Sequence, residues 1–199
     1  METRRRRPLP SIALGMSLFG ALLLGSTMAP TRTSADVRIS NLSVFLNDYD
    51  VTVTVVLFGA IPDSLQESIH TGIAAHVRYY VELWQYARMG VDRRLQARMV
   101  ERQLTYNVLT KEYKITALKG ETREPILTKD LREAQRMISE LRVGQLAPMV
   151  ALDKQELYYV RARSDVSLGG VNSWFARMTG DAEETPWVQS SLLTPVRNQ

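Results

Sequence analysis

The chain of 199 residues carries 25 Lys and Arg against 21 Asp and Glu, a formal net charge of +4, and no cysteine. The missing thiols exclude thiolate metal sites, cysteine nucleophiles, redox pairs and a lipid-modified cysteine. The positive balance belongs to the first 35 residues, which hold five Arg and one Glu; the other 164 carry 20 bases and 20 acids, and so balanced a body argues against nucleic-acid binding, which draws its affinity from a basic face on phosphate.

That first stretch is laid out as an export signal. Arg4 to Arg7 precede Ile12 to Leu24, a run with no charge and only Ser17 as a polar side chain, and small residues follow. As a helix the run reaches about 20 Å, short of the ~30 Å hydrocarbon core. The uncharged stretch from Pro8 to Thr31 is longer, so an uncleaved signal-anchor helix is the alternative to a removed signal peptide over 1–35. Thr27-Met28-Ala29 and Thr33-Ser34-Ala35 both suit the peptidase; Pro30 hinders the first, which leaves cleavage after Ala35 as the favoured outcome.

Residues 36–199 suit one domain. "VFLNDYDVTVTVVLF" reads as two strands turning at Asn47-Asp48, with Val51, Val53, Val55 and Leu57 on one face. A parity change between Ile39 and Leu42 predicts a bulge near Ser40-Asn41. "IPDSLQESIHTGI" breaks to a short helix with Leu65 and Ile69 on a stripe. Asp63 with Gln66, or Ser64 with Glu67, can form a capping box, and Gly72 provides a left-handed stop.

From Ile73, Ala75, Val77, Tyr79, Val81 and Leu83 alternate with His76, Arg78, Tyr80, Glu82, Trp84 and Tyr86, a polar and aromatic face that calls for partial cover. "RMGVDRRLQARM" interrupts the alternation, as a turn or a helical turn capped by Asp92. A hairpin follows, with Leu104, Tyr106 and Val108 pointing inward, a turn over Thr110 to Glu112, and Tyr113, Ile115 and Ala117 returning to Lys119-Gly120. "TKDLREAQRMISELRVG" reads as a helix with Asp130 as N-cap, Glu133 closing a box, a stripe of Leu131, Ala134, Ile138 and Leu141, and a stop at Gly144. A last strand runs from Leu157 to Val166, and an irregular tail starts at about 169. The order predicts an α+β domain: a mainly antiparallel sheet, able to curl into a sandwich, with two helices.

Three stretches, "LTYNVLTKEYKI", the helix ending in "HTGI" and "PWVQSSLL", together resemble the exported proteobacterial family of domain of unknown function 4390 (DUF4390), also labelled proline-rich signal peptide protein. The resemblance runs from Val37 to Leu193, through Leu104, Tyr106, Leu109, Thr110 and Tyr113 and then Trp187 and Ser190; the chain departs from it at "GDAEET" and in the few prolines of its leader. It implies export, a β-rich domain without assigned activity, and an association with envelope or nitrogen-related signalling. It carries over no catalytic residue.

Catalytic patterns are absent as well. His70 and His76 lack H-E-x-x-H spacing, and neither G-x-S-x-G nor a phosphate-cradling glycine motif occurs. Asp181, Glu183 and Glu184 read as a solvated loop, since sequence neighbours seldom converge on one substrate. No catalytic residue, metal site or cofactor is therefore expected. Tyrosine pairs an apolar ring with a polar tip and suits half-wet surfaces. Tyr80, Trp84 and Tyr86, covered by Trp174 and Phe175 of the tail, form the candidate binding surface, against a plain structural role for the same rings. The expectation is a non-catalytic exported protein of the periplasm, or of the inner membrane if its N-terminal segment stays as an anchor. It binds an envelope protein or component; an enzyme of unnamed class and a lipid carrier are the alternatives.

Overall fold

The computed structural model describes residues 37–169 and 182–195. All strand pairs are antiparallel, in two sheets. The smaller consists of β1 (Arg38–Leu46), β2 (Val51–Phe58) and β7 (Glu140–Val143), in the order β1-β2-β7. The larger follows the order β10-β8-β3-β4-β5-β6, built from β3 (Ala75–Tyr86), β4 (Arg93–Asn107), β5 (Glu112–Lys119), β6 (Ile126–Thr128), β8 (Leu157–Leu168) and β10 (Val188–Gln189), with β9 (Ala182–Glu184) also on β8. Helices α1 (Asp63–His70) and α2 (Leu131–Ser139) complete an α+β fold.

One apolar cluster joins both sheets and both helices, because each alternating strand contributes its apolar parity. Val51, Val53 and Val55 of β2 meet Val77, Tyr79, Val81 and Leu83 of β3, all essentially without solvent contact. Helix α1 packs on β4 and β8 through Leu65 and Ile69, and α2 packs on β2 and β5 through Ala134 and Ile138. The expected bulge is present, the register of β1 against β2 shifting between Ile39 and Asn41. Asn47 closes the β1–β2 turn, its side chain accepting from the backbone N–H of Tyr49 and Asp50.

Several local expectations need correction. The interruption at Arg88 is a turn only as far as Asp92; β4 starts at Arg93 and runs unbroken to Asn107. From Arg93 to Arg98 every residue but the partly buried Leu95 is exposed, which erases the apolar alternation that would have announced it. Val108 does not point inward. It sits in the turn, half exposed, where Asn107 accepts from the N–H of Leu109 and Thr110 and Lys111 takes a left-handed φ of 56°. Neither α1 nor α2 closes its expected box: Asp63 bonds the Gln66 amide, Pro62 takes the N-cap place, and Glu133 accepts from Thr128. Asp130 does cap α2 through the Arg132 N–H, and Gly72 does follow α1 with a φ of 96°.

Helix α2 ends at Ser139 instead of Gly144, and Leu141 and Val143 are buried as alternate residues of β7. The reason is a buried cation. Arg102, 2 % exposed on the inner parity of β4, donates to the Met137 and Glu140 carbonyls at 3.0 and 2.7 Å and holds the Glu121 carboxylate at 2.5 and 2.8 Å. The Tyr79 hydroxyl donates to the Ile138 carbonyl at 2.7 Å. Two side chains of the large sheet thus satisfy the carbonyls that a helix end leaves open, and the chain turns into β7 at that point.

Glycine is obligatory at Gly120, which follows β5. Its φ is 80°, and a Cβ there would stand 2.2 Å from the Met99 carbonyl oxygen. Gly120→Ala is expected to cost about 2 kcal/mol from the left-handed backbone and the displaced strand together, read as a lower urea midpoint at unchanged slope.

The tail, expected to be irregular, carries two short strands in its described part. β9 pairs with Asp165–Ser167, β10 pairs with Arg161–Ala162, and Leu193 bridges Tyr158. Between them Thr185 and Ser190 accept the N–H groups of Ser164 and Val160 with their hydroxyls. Glu183 and Glu184 are no solvated loop: Glu183 accepts from Val37 N–H and Ser64, and Glu184 pairs with Arg163.

Candidate functional site

The outer parity of the large sheet is where the polar and aromatic residues collect. Register places Tyr80 beside Arg163, Glu82 beside Arg161, Trp84 beside Tyr159 and Arg78 beside Asp165, all on the same face of β3 and β8. Behind β10, Trp187 comes over this face from the tail. Arg161 lies between two indoles, its guanidinium 4.2 Å from the Trp84 ring centre and 4.5 Å from that of Trp187. Arg163 lies between Trp187 at 5.0 Å and Tyr80 at 4.8 Å. Trp84 in turn stacks on Tyr159 at 6.3 Å and 8°.

From Trp84 through Arg161, Trp187 and Arg163 to Tyr80, rings and cations alternate in one continuous stack, which Tyr159 extends by lying on Trp84. Each cation over a ring is worth about 0.5–1 kcal/mol where water has access and more where it does not. Carboxylates hold the guanidinium edges: Glu82 accepts from Arg161 at 2.6 Å, from Arg94 at 3.0 Å and from the Trp84 indole at 2.9 Å, while Glu184 takes Arg163. Arg163 Nε is buried without a hydrogen-bond partner, a cost that the two flanking ring faces offset.

A second polar group continues along the same face. Arg78 bridges Glu101 at 3.1 Å and Asp165 at 3.2 Å, and His76, nearly buried, bonds Glu101 at 3.0 Å and Gln103 at 3.3 Å. His70, on α1, bonds the Tyr113 hydroxyl at 2.7 Å. Among the described residues no group of three or more His, Cys, Asp or Glu side chains is placed to hold a metal ion.

Two carboxylates of this face titrate in opposite directions. Burial acts to raise the Glu82 pKa, but hydrogen bonds from Arg161, Trp84 and Arg94 outweigh it and hold the group below its ordinary value. Burial wins at Asp165, whose pKa stays raised despite Arg78 and the Tyr80 hydroxyl. A carboxyl with a lowered folded pKa stabilises fully above the unfolded value, and that stability is lost as pH falls through the folded one. Glu82→Gln is accordingly expected to cost about 2 kcal/mol at neutral pH. The gap between variant and parent should close as urea melts are moved down through the acid range.

Of the five residues expected to form the binding surface, Tyr80 and Trp84 come together through Arg163, Trp187 and Arg161. Tyr86 stands apart, lining an open cleft of about 600 Å³ at the β3–β4 turn with Ala87, Arg88, Met89 and Leu157. Trp174 and Phe175 lie outside the described residues. Arg161, Arg163 and Trp187, which make the stack, were not foreseen as site residues, although the alternation Tyr159, Arg161, Arg163 displays the first two on one face.

No curated protein and no solved structure matches the chain. The family match that does exist ends at Glu184 and so stops short of Trp187 and Ser190. It begins at residue 34 and takes in every strand from β1 to β9, which is most of the sequence: the chain belongs to the family of the domain of unknown function DUF4390.

Proposed function

We propose that this is a non-catalytic exported envelope protein that binds a protein or another envelope component with the outer face of its large sheet. The observation that carries the reading is the ring and cation stack from Tyr159 to Tyr80. Trp, Tyr and Arg dominate the energetic centres of interfaces. Here they are already locked, so little side-chain entropy remains to be lost on binding. The apolar run after Arg4 to Arg7, and a family match that starts next to the expected cut after Ala35, support export to the periplasm or retention at the inner membrane.

The test is crosslinking in the intact envelope. A photoreactive residue replaces Ala97, which register puts opposite Glu82 on this face, and a reference one replaces Glu140 on β7. The proposal expects a defined neighbour captured from position 97 and not from 140. Recovery of the same abundant proteins from both positions would overturn it.

A further inference from the structure

The large sheet has an open margin partway along β4. That strand pairs with β5 only from Glu101 to Asn107, and among the described residues no strand lies beside Arg93 to Arg98 on the same side. The cause is local. At Gly120, whose φ of 80° brings it against the Met99 carbonyl, the chain leaves the sheet, and the next residue, Glu121, is drawn inward to Arg102. About 20 Å of β4 is left with the N–H and C=O groups of alternate residues turned to no strand. β7, the last strand of the small sheet, is likewise unpaired on its far side. The two margins meet at a cleft of about 520 Å³ lined by Arg98 and Val100 of β4, by Glu121 and Thr122, and by Arg142 and Val143 of β7.

Open margins invite other chains, and proteins guard them with charges, prolines and bulges. This one is lightly guarded. Arg93 and Arg94 reach back over β3, to Gln85 at 2.8 Å and to Glu82 at 3.0 Å, and Gln96 and Ala97 carry no charge. Arg98 is different. It stands on the inner parity, opposite Val81, yet it is exposed at the mouth of the cleft. Among the described residues neither Arg98 nor Arg142 has an ion-pair partner: Glu121 is held by Arg102, and Glu140, on the same parity of β7 as Arg142, pairs with neither.

We infer that this margin of β4 accepts an added strand from a partner protein, an extended segment with acidic residues at alternate positions. Main-chain pairing along Arg93 to Arg98 supplies the affinity, and side chains of alternate parity supply the choice of guest. One parity of the guest falls beside Arg98 on the side where Arg142 lines the cleft, and is acidic; the other falls beside Ala97 and Met99 on the outer side, and is apolar. Charge disfavours a second copy of this chain as the guest. β4 from Arg93 to Val100 carries three Arg and no acid, so two such margins would set like charges side by side. β3 separates this margin from β8, so the inference does not rest on the ring and cation stack, and either can fail without the other.

The probe is a fluorescein-labelled peptide of alternating Glu and Val, titrated against the full chain by fluorescence anisotropy. Saturable binding is expected, with amide hydrogen exchange slowed between Arg93 and Arg98 and unchanged along β1. A peptide of alternating Lys and Val should bind about tenfold more weakly, and Arg98→Gln and Arg142→Gln should each weaken binding of the Glu peptide about threefold. An added strand turns only one alternate set of its N–H groups to the sheet. N-methylation of one set should therefore abolish binding, and N-methylation of the other should leave it intact. The inference is overturned by a Glu peptide that does not saturate, by equal binding of the Lys peptide, by an affinity that neither glutamine variant moves, by slowed exchange confined to other strands, or by an equal response to the two methylated forms, which is what attraction between charges alone would give.

Discussion

Arg102→Ala is expected to lower the stability of the domain by about 3–5 kcal/mol, the cost of opening a buried ion pair from one side. The side chain is 3 % exposed and Glu121 is 18 % exposed, so solvent replaces little of the lost interaction. The Met137 and Glu140 carbonyls lose their donor as well, at the point where α2 gives way to β7. For a domain of this size the loss corresponds to a fall in Tm of roughly 10 °C. Glu121→Gln, which leaves the guanidinium on the carbonyls, should cost much less. A loss under about 1 kcal/mol for Arg102→Ala would mean that Arg102 does not define the helix end.

The second large effect falls on binding. Trp187 contributes a ring face to both Arg161 and Arg163, yet it is 39 % exposed and directly precedes the short strand β10 at the sheet margin. Trp187→Ala should therefore cost only about 1–2 kcal/mol of stability. Partner capture from position 97 should fall at least tenfold, the loss typical of an interface anchor. Trp187→Phe, which keeps a ring against both cations, should recover most of it. If capture is unchanged while the stability falls as expected, the stack is packing and nothing more.

The main frame was legible where one face of an element is wholly apolar. The β2 face of Val51, Val53 and Val55 and the β3 face of Val77, Tyr79 and Val81 fixed both strands and their sides, and the β1 bulge followed from parity alone. Legibility failed where burial did not force a pattern. The outer half of β4 is wet except at Leu95, and "ISELRV" continues a helical stripe through Leu141 until a distant arginine ends it. Sequence neighbours cannot announce that donor. The site shows the same division: Tyr80 and Trp84 stand on an alternating strand and could be read, whereas the ring that unites them comes from over a hundred residues further on.

That distance has a bearing on biosynthesis. Residues 182–195 supply strand partners along the margin of β8 and the indole that locks both arginines. A nascent chain can bury β2, β3 and β4 against each other before these last residues emerge. The stack of rings and cations is complete only at the end of synthesis, so a prematurely terminated product would have a sound interior and an unfinished outer face, with a raw strand margin inviting self-association.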